Sequence, residues 1–278
     1  MTNFDWGSSY IDWKDRSTWI GPLTRWLGAA VDGQEIASLR DQGGLDICWD
    51  DSDWQSVFEG VCDTRFAAKV ANLAADLNKV PLRVFHGCRV EDASVFSLNG
   101  IRLNDPDWLA KHAREIASLS PHQDTLLQSL EKFIANDDDL NRDVGTLFVS
   151  LDDRELIGDC SHYALYGSEW ILSALGWAAH SLLREIGVPT ILEAEISIGS
   201  LSEIMRRELA ERLLQEWTHY SVNQPNWMPV VDFGICLRRP ILRDQIVRHY
   251  HPSELTDVFY QRTVRRSPST ICPGCTSL

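Results

Sequence analysis

The segment His86-Gly87-Cys88-Arg89 follows a short apolar run and contains residue types that are suited to contacting a ligand. A sheet presents side chains to a cleft where its strands end, so an imidazole at this point can reach a bound molecule. The glycine beside it lets a ligand approach the backbone closely. The alternative interpretation is an ordinary strand followed by a polar turn. Cys88 as a thiol nucleophile is a further alternative, which requires the strand to continue through Gly87.

A second group of polar side chains begins a long apolar segment. His162, Tyr166 and Glu169 are spaced by four and three residues, which places them on one face of a helix. A carboxylate on a buried helix is costly unless it is paired or partly hydrated. Glu169 therefore either has a strong partner, such as Arg83 or Arg89, or lines a cleft.

Three further carboxylates fall in predicted strands. Glu193 and Glu195 lie on the same side of one strand, where they form a solvated edge, pair with arginines or act together in hydrolysis. Asp232 interrupts an apolar run near the end of the chain. An acid in the middle of a buried strand is unusual, so Asp232 is a candidate for a functional role.

The pair Cys272-Pro-Gly-Cys275 lies near the end of the sequence. A zinc site needs four ligands, and neither a second CxxC pair nor an HxxxH pair stands at a familiar spacing. A redox pair would normally open a helix of a βαβ unit. We therefore expect an unspecialised tail and no metal site, with metal binding as the alternative.

Composition limits the class of protein. The chain has 278 residues, 44% of them hydrophobic, and a net charge of −14. This charge disfavours a general binder of duplex DNA. The sequence shows neither a secretory signal nor an apolar segment long enough to span a bilayer. Seven cysteines, an odd number in a large chain, suit a reducing compartment, so we expect a cytoplasmic protein that does not bind membranes.

Hydrophobic periodicity predicts strands interleaved with helices. Asp105 and Pro106 predict the cap and the first turn of one of these helices. The predicted helices are 65–79, 106–119, 122–135, 164–186 and 201–219, and the predicted strands are 82–85, 144–151, 190–198 and 230–237. No glycine-rich phosphate loop follows any strand, which argues against a P-loop or classical dinucleotide fold. An α+β fold built on a mixed sheet fits this order.

The first sixty residues differ from the rest. They contain six of the eleven tryptophans and eleven acidic against four basic side chains. The tryptophans follow no helical or strand period, so we expect an irregular extension, residues 1–60, that packs on the main domain. The alternative is an arm that binds a partner, because exposed tryptophans mark interfaces. The main domain is predicted over residues 61–266, followed by a tail, 267–278.

The order of motifs resembles that of a known enzyme family. His86-Gly87, followed by Ala93, Phe96 and Gly100-Ile101, is similar to the opening pattern of ADP-ribosyltransferase-fold enzymes, the PARP and diphtheria-toxin-like group. Residues 145–150, followed by a Ser-His-Tyr helix start, are similar to that family's second element. The resemblance covers about residues 82–250 and implies a mostly antiparallel central sheet with a split cleft and flanking helices.

The resemblance implies roles for individual residues. His86 would hydrogen-bond the nicotinamide-side ribose of NAD. Phe148 stands where the family has a tyrosine, so Tyr163 or Tyr166 would stack on the nicotinamide ring. The acid would be Asp232, or else Glu169 or Glu195. Contacts to NAD are assigned to His86, Gly87, Cys88, Arg89, Phe148 and Ser150.

The implied activity is NAD-dependent mono-ADP-ribosylation of a macromolecular acceptor, either protein or nucleic acid, with NAD as the substrate. A bacterial or phage toxin or defence effector would be the natural setting for such a domain. Two alternatives remain open. The first is a non-catalytic interaction module that uses the tryptophan-rich segment, and the second is a hydrolase that uses paired carboxylates such as Glu193 and Glu195.

Overall fold

The computed structural model describes residues 4–6, 10–41, 53–62, 64–136, 138, 141, 143–222, 234–267 and 272–276. Five strands form one sheet in the order β4-β2-β1-β3-β5. They are β1 Pro81–Val90, β2 Leu147–Ser150, β3 Val188–Ser197, β4 Gly234–Leu237 and β5 Ile246–Tyr250. The pairs β1–β2, β2–β4 and β3–β5 are antiparallel. Strands β6 Glu254–Asp257 and β7 Arg262–Arg265 form a separate antiparallel hairpin.

Helices lie before, between and after these strands in the sequence. The helices up to β2 are α1 Ile20–Leu27, α2 Gly33–Asp41, α3 Asp53–Val61, α4 Phe66–Asp76, α5 Ser94–Asn99, α6 Pro106–Ser118 and α7 Gln123–Ile134. Those that follow are α8 Asp153–Ile157, α9 His162–Tyr166, α10 Glu169–Leu175, α11 His180–Glu185, α12 Glu203–Val222 and α13 Pro273–Thr276. The combination of an antiparallel sheet and many helices confirms the predicted α+β fold.

The start of α6 follows its sequence closely. The side chain of Asp105 accepts hydrogen bonds from the backbone N–H groups of Asp107 and Trp108, at 3.0 and 3.3 Å, and Pro106 occupies the first turn. These bonds satisfy donors that a helix N-terminus leaves unpaired. The predicted cap is confirmed.

The prediction of a single helix over residues 164–186 is wrong. The structure divides this segment into α9, α10, a 3₁₀ turn at Trp177–Ala179 and α11. Gly167 and Gly176 end α9 and α10 with φ values of 86° and 70°. Only glycine adopts this left-handed region at little cost in conformational energy. Each glycine therefore ends a helix at a position where the apolar pattern of the sequence continues without a break.

The chain forms two compact units, Met1–Arg83 with Ile196–Val230, and Val84–Glu195 with Val231–Leu278. These boundaries differ from those of the predicted extension, which occupies only part of the first unit. The described part of residues 1–60 is largely helical rather than irregular. The spacing of the tryptophans did not indicate these helices because the tryptophans are distributed over several short elements.

The first unit has an aromatic core. Trp13 and Trp19 stack with their ring centroids 6.0 Å apart, and Phe58 meets Trp217 of α12 edge to face at 6.2 Å. Trp6, Trp13, Trp19 and Trp54 are buried. These four indoles therefore fill the interior of their own unit.

The second unit has its own apolar core, in which helices α6, α7 and α9–α11 meet strands β1 and β3. Its members include Phe85, Leu109, Ala113, Leu126, Leu130, Leu165, Trp170, Leu172, Leu183, Ile191 and Leu255. Among the residues that the structure places, no helix combines the length and the apolar character needed to cross a bilayer.

Candidate functional site

Strand β1 pairs with β2 at the segment that the sequence singled out. They pair at Phe85 and Ser150, whereas β2 and β4 pair at four positions. One residue further along β1, the Nδ1 atom of His86 lies 2.9 Å from the carbonyl oxygen of Phe148. The imidazole therefore links β1 to β2 one residue beyond the paired residues Phe85 and Ser150.

This contact sets the tautomer of His86. A carbonyl oxygen only accepts hydrogen bonds, so Nδ1 carries the proton and Nε2 is the nitrogen left to meet a ligand. Burial lowers the pKa of His86, although its bond to Phe148 opposes this effect. The ring is therefore neutral near pH 7.

Gly87 brings β1 close to α9. A Cβ atom placed on Gly87 would lie 3.2 Å from the Cβ of Tyr163 and 3.4 Å from a methyl group of Leu156. Strand residues alternate in direction, so Gly87 faces α9 while the side chain of His86 leaves the other side of β1. The imidazole of His86 and the contact of Gly87 with Tyr163 therefore lie on opposite sides of β1.

Tyr163 connects this glycine to a carboxylate. Its hydroxyl donates a hydrogen bond of 2.8 Å to Oε2 of Glu169, the first residue of α10. Burial raises the pKa of Tyr163, as does the bond to Glu169, so the phenol stays protonated and acts as a donor. Both side chains are partly exposed. We call His86, Gly87, Tyr163 and Glu169 the candidate active site.

Tyr166 lies elsewhere, although the sequence offered it as an equal of Tyr163. Its side chain is only 2% exposed, and its hydroxyl donates to Oδ2 of Asp257 at 2.9 Å. Asp257 also pairs with Arg184 at 3.4 Å and lies 3.6 Å from Arg262. A buried phenol engaged in this way is unsuited to stacking on a ligand, which leaves Tyr163 as the candidate of the two.

Tyr166 belongs to a cluster of aromatic rings that the sequence analysis did not identify. The ring of His180 lies 4.7 Å from Tyr166 and 4.6 Å from Trp177, and Phe259 lies 5.3 Å from His180. Trp177 is 66% exposed. Residues of the 3₁₀ turn and of the β6–β7 hairpin meet here, and no local spacing links two segments so far apart in the chain.

Arg89 and Ser150, which the resemblance also assigned to NAD, have structural partners, and Cys88 carries a neutral thiol. Burial raises the pKa of Cys88 to about 12, so its sulfur is a thiol and not a nucleophilic thiolate. Arg89 donates to the carbonyl oxygens of Ile186, at 2.7 Å, and Arg184, and so holds the end of α11. The hydroxyl of Ser150 is buried and donates to Glu155 at 2.6 Å.

Phe148 differs from these because it is 42% exposed. Asp232 lies outside the described residues.

Glu193 is buried and forms an ion pair with Arg248 at 2.6 Å. This pairing agrees with the interpretation of Glu193 as a structural residue. A register shift separates Glu193 from Ala194 in β3, and Glu195 follows it.

The two cysteines of the C-terminal segment have partners that the sequence analysis did not find. Cys272 and Cys275 lie beside His249 of β5 and beside His251, the residue that follows this strand. Two histidines spaced by two residues in an extended chain point to the same side, so this pair was detectable as a ligand pattern. The expectation that the CxxC pair lacks companion ligands is therefore corrected.

Comparison with known proteins finds no protein-family model, no curated protein sequence and no solved structure that matches this chain.

Proposed function

We propose that this protein is an NAD-dependent mono-ADP-ribosyltransferase that acts on a macromolecular acceptor. The observation that carries the proposal is the hydrogen bond between Tyr163 and Glu169 beside β1, at the residue that follows His86. The imidazole of His86 contacts the carbonyl oxygen of Phe148 on one side of β1, Gly87 packs against Tyr163 on the other, and Tyr163 holds the carboxylate of Glu169. These groups come from β1, α9 and α10.

The reaction breaks the bond between the nicotinamide nitrogen and C1′ of the ribose. Nicotinamide leaves with the bonding electron pair, and positive charge develops on the sugar. A nucleophile of the acceptor then forms a new bond to C1′ and loses its proton. A carboxylate near C1′ stabilises the transition state more than the ground state, because the charge exists only during bond cleavage.

Each residue of the candidate active site has a role in this scheme. Nε2 of neutral His86 accepts a hydrogen bond from a ribose hydroxyl and orients the sugar. The ring of Tyr163 stacks on the nicotinamide, and its hydroxyl keeps Glu169 in place. Glu169 stabilises the developing positive charge, and its partial exposure makes its carboxylate accessible to substrate.

The test is release of nicotinamide from NAD by the full-length protein, measured by chromatography. Wild-type protein is expected to release nicotinamide, and His86→Ala is expected to reduce the rate at least about tenfold. His112→Ala is the control, because His112 lies on α6 and pairs only loosely with Glu115 at 3.4 Å. Circular dichroism verifies that each variant is folded.

Two results would overturn the proposal. One is a folded wild-type protein that releases no nicotinamide at any NAD concentration. The other is an activity that does not require NAD and that is lost in Glu193→Gln, which would favour the hydrolase. The burial of Trp6, Trp13, Trp19 and Trp54 gives the interaction module less support than either enzyme.

A further inference from the structure

Four side chains with metal-binding atoms converge near the edge of the sheet. The nearest ligand atoms of His249, His251, Cys272 and Cys275 all lie within 4.8 Å of one another. Nε2 of His249 is 3.1 Å from the sulfur of Cys275, and Nε2 of His251 is 3.2 Å from the same sulfur. Tetrahedral bonds of about 2.1 to 2.3 Å to one ion place its ligand atoms about 3.4 to 3.8 Å apart, which these distances approach.

The surroundings orient two of these ligands. Nδ1 of His251 lies 3.0 Å from the carbonyl oxygen of Pro189, so Nδ1 carries the proton and Nε2 is free to bind a metal. This is the outer contact that metal-binding histidines generally make. The backbone N–H of Ala93 donates to the sulfur of Cys272 at 3.3 Å. Such a bond stabilises negative charge on the sulfur.

We infer that His249, His251, Cys272 and Cys275 bind one Zn²⁺ ion in a closed tetrahedral site. Two thiolates and two imidazoles are the ligand set of many structural zinc sites. Magnesium and calcium prefer oxygen ligands, and this cluster contains only sulfur and nitrogen. Four protein ligands leave no position for a reacting water, so the site is structural rather than catalytic.

The position of the site explains what the ion does. β5 ends the order of strands and is an edge of the sheet. An unprotected edge strand invites pairing with other chains. The zinc ion links Cys275 of α13, and Cys272 just before this helix, to His249 of β5. The hydrogen bond from Ala93 holds Cys272 beside the start of α5, so that this segment is fixed beside the sheet edge. This inference is independent of the proposed transferase activity.

The first experiment measures zinc in the full-length protein, purified under reducing conditions after growth with added zinc. One zinc ion per chain is expected. His249→Ala and Cys275→Ser are expected to lose the metal, whereas Cys236→Ser and His112→Ala, which lie on β4 and α6, keep it. Zinc removal by a chelator is expected to lower the melting temperature of the wild type and to leave that of Cys275→Ser unchanged.

Cobalt substitution provides a second measurement that needs no variant. Wild-type protein loaded with Co²⁺ is expected to show the strong visible bands of tetrahedral cobalt and a thiolate charge-transfer band. The weak spectrum of octahedral cobalt would overturn the inference. So would a wild-type protein that contains no zinc, or a disulfide between Cys272 and Cys275 in protein that is kept free of oxygen.

Discussion

The hydroxyl of Tyr163 donates a 2.8 Å hydrogen bond to Glu169 across the glycine that ends α9. The bond exists because Gly167 turns the chain between α9 and α10, which brings residues six apart in sequence together. It gives Glu169 a hydrogen-bond donor that carries no charge, while Arg89, one of the arginines that the sequence suggested, donates to the carbonyl oxygens of Ile186 and Arg184.

Tyr163→Phe removes this donor without changing the shape of the ring. We expect the rate of nicotinamide release to fall about tenfold, because Glu169 loses its orientation while stacking is retained. Tyr250→Phe is the matched control, since Tyr250 donates to Asp153 at 2.6 Å away from the candidate active site. Both variants should lose about 0.5 to 1.5 kcal/mol of unfolding free energy. Equal activity in the two variants would contradict the role of Tyr163.

Gly87→Ala tests the close approach of β1 to α9. The added methyl group would meet the Cβ of Tyr163 at 3.2 Å, and neither atom lies at the end of a flexible side chain. We expect a loss of about 1 to 2 kcal/mol of stability by urea denaturation. Gly60→Ala in α3 is the control, because nothing lies within 4 Å of the new Cβ there and alanine favours a helix. A Gly87→Ala protein as stable as the wild type would show that this contact relaxes freely.

The sequence predicted the class of fold better than the grouping of site residues. Local patterns identified β1, α6 and the polar start of α9, because capping and hydrophobic periodicity act over a few residues. The contact between Gly87 and Tyr163, and that between Tyr166 and Asp257, join distant segments and follow from packing. The apolar run after Ala164 correctly predicted that this segment is buried. It did not predict that Gly167 and Gly176 divide the segment into separate helices.

His219 should make stability depend on pH. Burial lowers its pKa from 6.5 to about 4, so the folded protein resists its protonation while the unfolded chain does not. The stability is fully present above pH 6.5 and falls as the pH drops toward 4. We expect the unfolding free energy to fall by about 2 kcal/mol between pH 7.5 and 5 from this group.

Urea denaturation at the two pH values measures this effect. His219→Leu is expected to show a smaller pH dependence than the wild type, by about the same amount. His112→Leu on the exposed face of α6 serves as the comparison and should keep the full dependence. An unchanged pH dependence in His219→Leu would contradict the assignment.

Arg248→Ala tests the structural interpretation of Glu193. Glu193 is 3% exposed, and removal of its partner leaves a buried carboxylate with weaker compensation. We expect a loss of about 1 to 3 kcal/mol, because Arg248 itself is largely exposed and solvent screens part of the interaction. Arg265→Ala breaks the exposed pair with Glu254 and should cost less than about 1 kcal/mol. Equal losses in the two variants, measured by urea denaturation, would count against a structural role.

The most direct test of the proposed chemistry compares Glu169→Gln with the wild type in NAD binding and in nicotinamide release. Glutamine keeps a hydrogen-bond acceptor for Tyr163 and removes the negative charge. Affinity for NAD, measured by calorimetry, should remain similar, while the rate of release should fall about 100-fold or more. A Glu169→Gln protein that releases nicotinamide at the wild-type rate would contradict the account.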